Sequence, residues 1–144
     1  YEDFELRSTH LSVGRGAIYP DANILVRFQS HRGVFDLLAE SRGSQRWTVD
    51  AALERLAYQE QGVLILLEYS EDATRLEQRL RDAGQVAPQD DADHNDLRML
   101  GAGSQILADL GVHRVTVLGT PRKTHALSGY GLEVTEYISA PGEN

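Results

Sequence analysis

Val63-Leu64-Ile65-Leu66-Leu67 is an unbroken apolar run. A strand sends alternate side chains to opposite faces, so this run is stable only in a sheet whose two faces are both covered. The chain therefore needs apolar helices on either side of a sheet, and the neighbouring sequence supplies candidates. Thr48 is placed to cap a helix in which Val49, Ala52, Leu53, Leu56 and Ala57 turn one face to the core. Ser70 is placed to cap a second, with Ala73, Leu76, Leu80 and Ala83 as its apolar stripe and Gly84 as its end. Its pairs Glu71/Arg75 and Glu77/Arg81 are spaced four apart, as on a solvated helix face. Ala102, Ile106, Leu107 and Leu110 predict a third helix of about three turns, closed by Gly111 as a left-handed cap.

Two further strands are legible: Ile24-Leu25-Val26-Arg27-Phe28 after a Pro20-Asp21 turn, and Arg114-Val115-Thr116-Val117-Leu118. Phe4 and Leu6 alternate as a possible first strand, and Ser12 to Tyr19 holds an apolar patch broken by Gly14 and Gly16. A helical turn is expected through Val34–Leu38, leading into a polar segment from Glu40 to Arg46. From Gln85 to Asn95 the chain is polar and acidic and reads as an exposed loop. Its Asp90-Asp91-Ala92-Asp93-His94 cluster lacks the glycine and terminal glutamate of a calcium loop. The expected fold is mixed α/β (α+β): one domain over residues 1–144 with a central sheet flanked by helices.

With 22 acidic against 14 basic residues the formal charge is −8, which argues against a broad nucleic-acid surface or an anionic-membrane anchor. A small anion would need a local basic pocket. The turn after the 114–118 strand offers one: Thr120 can cap and Pro121 can open a short helix, with Arg122 and Lys123 beside its N–H groups. That turn also reads, more simply, as a tight strand-to-helix connection. Cysteine is absent, so the chain has neither disulfides nor thiolate metal ligands, and a cytoplasmic setting is the natural expectation. No apolar run approaches the roughly 18 residues of a membrane-spanning helix. The five histidines are scattered, and no G-x-S-x-G elbow, Cys–His pair or H-E-x-x-H motif is present.

The run Asp96-Leu97-Arg98-Met99-Leu100-Gly101-Ala102-Gly103-Ser104-Gln105-Ile106-Leu107-Ala108-Asp109-Leu110-Gly111-Val112, followed by Leu118-Gly119-Thr120-Pro121-Arg122-Lys123 and Gly129-Tyr130-Gly131-Leu132-Glu133-Val134, resembles the C-terminal part of GTP cyclohydrolase II. That zinc enzyme opens the guanine ring of GTP at the start of riboflavin synthesis. The resemblance continues back through Leu53 to Arg27 and implies the family's fold. It also marks where the family's chemistry is missing. Three cysteines bind zinc in the family, in segments like R-V-H-S-E-C-L-T-G-D and S-L-R-C-D-C-G. Arg32, Gly43 and Gln45 stand at those positions here, with His31 beside the first. The guanine-binding Q-E-G-R-x-I-G-L motif is missing, and Gln78 stands where the family has an active-site tyrosine. Of the phosphate segment T-N-N-P-x-K, Leu118, Gly119 and Thr120 replace the first three residues while Pro121 and Lys123 remain.

Two family catalytic positions survive, Asp96 and Arg98, although an aspartate and arginine two apart before a helix also make an ordinary charge pair. The implied cofactor set is empty, because the zinc ligands are gone. The resemblance further implies an upstream partner, since this domain commonly follows 3,4-dihydroxy-2-butanone 4-phosphate synthase in one chain. Tyr1-Glu2-Asp3-Phe4 resembles the opening of the cyclohydrolase half in such fusions, so a cut before Tyr1 is expected. The reading is then a structural or regulatory domain, dimeric, acting by packing. Two alternatives stay open: a metal-free phosphatase using Arg98, and a sensor of a small phosphorylated ligand, nucleotide or flavin at Thr120, Arg122 and Lys123.

Overall fold

The computed structural model describes residues 1–3, 8–31, 47–68, 81, 89–121 and 125–141, with residues 3, 8, 9, 31, 89–97, 125 and 126 described by backbone alone. The elements in chain order are β1 (Glu2–Asp3), β2 (Ser8–Thr9), β3 (Leu11–Arg15), β4 (Asn23–His31), α1 (Val49–Ala57), β5 (Gly62–Glu68), α2 (Gln89–Asp109), β6 (Arg114–Leu118), α3 (His125–Ser128) and β7 (Glu133–Ile138). β1 and β2 form a small antiparallel pair, and the other five strands form one sheet in the order β3-β5-β4-β6-β7. β3 runs antiparallel to β5, while β5, β4, β6 and β7 are parallel to one another. This is the mixed architecture the sequence predicts, a central sheet with helices packed on it.

β5 is the apolar run, and it is buried on both faces as its composition requires. Val63, Ile65 and Leu67 point into one cluster with Ile24, Val26, Val115 and Val117 of the neighbouring strands and with Met99, Ile106 and Leu107 of α2. Leu64 points the other way, into a second cluster of Leu25, Leu118, Trp47 and the α1 residues Ala52 and Leu56. Each fully buried leucine, isoleucine or valine contributes about 1.5–3 kcal/mol.

The helix ends follow their local chemistry. Thr48 caps α1, its hydroxyl accepting from the amide of Ala51 at 3.1 Å. Beyond α2, Gly111 takes a left-handed φ of 79°, with Gly111 N–H on the Ala108 carbonyl (3.0 Å) and Val112 N–H on the Leu107 carbonyl (2.9 Å). That pair of bonds is a Schellman motif. The same pattern closes α3, where Gly131 (φ 75°) bonds Ser128 and Leu132 bonds Leu127.

Several expectations are corrected. Gln89–Asn95 lies in α2 rather than in a loop, so the helix ending before Gly111 has 21 residues instead of about three turns. The acidic composition that suggests a loop also suits the first turns of a helix, where carboxylates meet the positive end of the dipole. Asp96 and Arg98 consequently lie within α2 and not ahead of it. On α1, Ala52 and Leu56 are buried, while Leu53 is 40% exposed and Ala57 is also exposed, because a single-layer contact with the sheet covers a narrower stripe than the sequence pattern offers. Pro121 is not helical, and the described helical residues after β6 are His125–Ser128, so Thr120 and Pro121 are not the cap and first residue of a helix there. The Phe4/Leu6 strand, the turn through Val34–Leu38, and Ser70 with its helix apart from helical Arg81 lie outside the described residues.

Two contacts fix the chain's outer parts. The Tyr1 hydroxyl donates to the Asp109 carboxylate at 2.8 Å, tying the first residue to the end of α2. That hydrogen bond, then desolvation and the carboxylate's charge, raise the Tyr1 phenol above its ordinary range. A raised value means that the bond's contribution is present below the ordinary phenol range and lost as pH rises through the raised value. Between β6 and β7 the register shifts at Val115/Thr116, and Thr135 bonds the Val115 carbonyl and the Asn23 side chain there.

α2 approaches the sheet closely at Gly103, where an added Cβ would lie 2.6 Å from two ring carbons of Phe28. Gly103→Ala is expected to cost about 1–3 kcal/mol through overpacking, and Phe28→Val in the same chain should recover part of it. Urea unfolding followed by far-UV circular dichroism measures both.

Candidate functional site

In an open sheet of parallel strands, ligands enter at the carboxyl ends, where the connections diverge to opposite faces. Here those ends are Glu68 of β5, His31 of β4, Leu118 of β6 and Ile138 of β7, all at one edge. β6 delivers Gly119 and exposed Thr120 and Pro121 to this edge. α2 runs back across the sheet, since its C-terminal end feeds the start of β6, and so its N-terminal half points to the same edge. Gly103 marks the level of Phe28 and Leu67, near the strand ends. Arg98, five residues earlier, lies about 7.5 Å further along the axis, and it is exposed.

The fold thus brings the helix carrying Asp96 and Arg98 and the turn carrying Thr120 to one edge of the sheet. Asp96 is described by its backbone alone, and Arg122 and Lys123 lie outside the described residues. The family's zinc positions Arg32, Gly43 and Gln45, and Gln78, also lie outside them.

Three residues at this edge escape a reading of the sequence. Arg27, inside the apolar β4 run, points to the α1 face because Ile24, Val26 and Phe28 occupy the other. Its Nη1 donates to the Leu118 carbonyl at 2.7 Å, and its Nη2 to the Trp47 carbonyl at 3.2 Å and to Gln29 Oε1 at 2.9 Å. Nε also reaches Gln29 Oε1, at 3.2 Å. Trp47 in turn donates from its indole to the Ile138 carbonyl at 2.9 Å, and Gly119 N–H bonds the same carbonyl at 2.9 Å. One guanidinium and one indole therefore join β4, β6, β7 and the chain entering α1.

His10, only 2% exposed, is the third. Its Nδ1 accepts from the Glu68 amide at 3.2 Å, which places the ring hydrogen on Nε2. The signal for Arg27 was present in the sequence as a lone cation in an apolar strand. For His10 and Trp47 the partners are backbone groups far along the chain, which no local pattern reveals.

The fold defines an open, mixed α/β sheet class, and comparison with known proteins narrows it. The family model of GTP cyclohydrolase II matches residues 1–139. Among relatives, a 3,4-dihydroxy-2-butanone 4-phosphate synthase from Photobacterium phosphoreum is 33% identical over 139 residues, covering 96% of this chain and 38% of that protein. One of the same name from Pseudomonas syringae is 35% identical over 144 residues, covering 99% and 39%. The riboflavin biosynthesis protein RibBA of Chlorobium phaeovibrioides is 31% identical, covering 96% and 36%. Among solved structures, RibBX, a two-domain 3,4-dihydroxy-2-butanone 4-phosphate synthase from A. baumannii, superposes with a TM-score of 0.53 at 25% identity, covering 90% of this chain and 31% of that one.

The chain belongs to the GTP cyclohydrolase II family, and its relatives are proteins of riboflavin biosynthesis. It spans less than two-fifths of the length of the relatives it matches.

The chain has no cysteine to supply thiolates, and among the described residues no three histidine, aspartate or glutamate side chains come together as a metal site. Also among the described residues, no helix is long and apolar enough to cross a membrane.

Arg27 is expected to hold this edge together. Arg27→Met should cost about 1.5–3 kcal/mol, the range for a charged hydrogen bond, and Arg27→Lys should not rescue it, because an ammonium cannot reproduce the planar fork. Trp47 is the chain's one tryptophan, so its fluorescence during urea unfolding reports this edge directly.

Proposed function

We propose that this chain is a non-catalytic GTP cyclohydrolase II domain serving a 3,4-dihydroxy-2-butanone 4-phosphate synthase carried on the same longer protein in the cytoplasm. The observation that carries the reading is the total lack of cysteine in a chain matched by the family over residues 1–139. Hydrolytic opening of a guanine ring needs an activated hydroxide near neutral pH, which the family obtains from zinc. Arg32, Gly43 and Gln45 offer no anionic donor in place of the thiolates, and a cation at the first position repels a metal. Asp96 and Arg98 then act as residues of a helix, Arg98 exposed on it, rather than as an acid–base pair.

A domain without chemistry of its own acts by packing, on its own synthase or as part of a dimer. The relatives' names and their greater length support the synthase as the partner.

The purified protein should contain no stoichiometric zinc by elemental analysis and release no formate from GTP above a blank. Formate release abolished by Arg98→Ala would refute the reading. Removing residues 1–144 from the parent protein should lower ribulose 5-phosphate turnover or the melting temperature. If turnover, melting temperature and molar mass all stay unchanged, the domain does not serve the synthase.

A second reading has positional support, because exposed Thr120 sits at the carboxyl edge with Arg122 and Lys123 next in the chain. A small phosphorylated ligand bound there would lack the family's guanine contacts and bind weakly. Inorganic phosphate should then raise the melting temperature only at millimolar concentration, about ten times Kd for a 1.4 kcal/mol effect, and Lys123→Ala should remove the shift. An unchanged shift in Lys123→Ala would remove this site from consideration.

A further inference from the structure

β3 is an edge of the sheet, and among the described residues no strand pairs with its outer hydrogen-bonding side. Leu11 and Val13 pair with Leu66 and Leu64, so they share the face on which α1 lies. Among the described elements α1 packs on β5 and β4, and Leu11 and Val13 beyond it stay 55% and 43% exposed. Leu53, on α1 on the same face, is 40% exposed. An edge strand bearing two exposed apolar side chains, on the same sheet face as a helix that bears a third, is a feature soluble domains normally blunt with charge.

We propose that this face, Leu11, Val13 and Leu53, is where the domain docks on the remainder of its parent protein. The inference rests on the function proposed above and names the surface it uses. Two observations favour that occupant over a second copy of the chain. The domain carries a formal charge of −8, so pairing two identical faces brings two strongly acidic bodies together. Three partly exposed side chains also offer at most a few hundred Å², well below the roughly 1,000 Å² of a stable free interface. A tethered partner needs far less, because the linker holds it at an effective concentration on the order of millimolar. The relatives' matched share, 38% and 39% of their length, leaves enough chain to supply such a partner.

The test uses the full-length parent with Leu11→Thr and Val13→Thr together. Both replacements suit a strand and sit at exposed positions, so the fold is kept while the apolar contact is removed. A second variant, Leu53→Gln on α1, avoids the strand altogether. Calorimetry should show one coupled unfolding transition in the parent and two separated ones in either variant, with ribulose 5-phosphate turnover shifted toward that of the protein lacking residues 1–144. Coupling and turnover unchanged in both variants would overturn the surface. Halving of the molar mass with coupling intact would also overturn it, and assign the face to a second copy. The proposed function fails by a different result: deletion of residues 1–144 without effect.

Discussion

Two-sided burial of β5 is the constraint on which the other elements depend. An apolar strand with no polar alternation cannot sit at a wetted surface, so α2 must cover one face and α1 the other. Once both are in place the neighbouring strands inherit the same demand. Ile24 and Val26 serve the α2 cluster while Leu25 serves the α1 cluster, and Val115, Val117 and Leu118 divide in the same way. The parallel order of β5, β4, β6 and β7 then gathers four strand ends at one edge, and the functional question reduces to what stands there.

Among the described residues, polar groups at that edge hold structure. Arg27 donates its N–H groups to protein oxygens, and Trp47 ties the start of α1 to β7. Charge-assisted bonds to backbone carbonyls make a cation a structural tie. A cysteine-free chain of this family keeps the packing that makes a domain while offering no thiolate to a metal. Cores and sites answer to different residues, so one can persist without the other.

The close approach of α2 to the sheet is the second consequence of this packing. Gly103 admits the Phe28 ring and Gly101 lies 3.0 Å, from its notional Cβ, to the Tyr130 hydroxyl. A side chain at Gly103 would push the helix away from the strand that carries Phe28, whereas one at Gly101 would meet the end of the exposed Tyr130 side chain. Gly103 therefore sets the depth of the α2 layer, and with it the position of the exposed Arg98 turn over the carboxyl edge.

By itself the sequence determined the elements whose signals are local. The runs at 24–28, 63–67 and 114–118 became strands, Thr48 capped its helix, and Gly111 ended α2, because period, capping and left-handed φ are properties of neighbouring residues. The mixed α/β class and the family's motifs were legible for the same reason, and the lack of cysteine is read from the sequence directly. Only the tertiary structure decided how far α2 extends toward Gln89, which stripe of α1 is buried, and that Arg27, Trp47 and His10 meet distant backbone groups. Helix length responds to the layer a helix packs on, and an edge contact joins residues 20 to 91 positions apart. No window along the chain contains both partners, so packing had to bring them together.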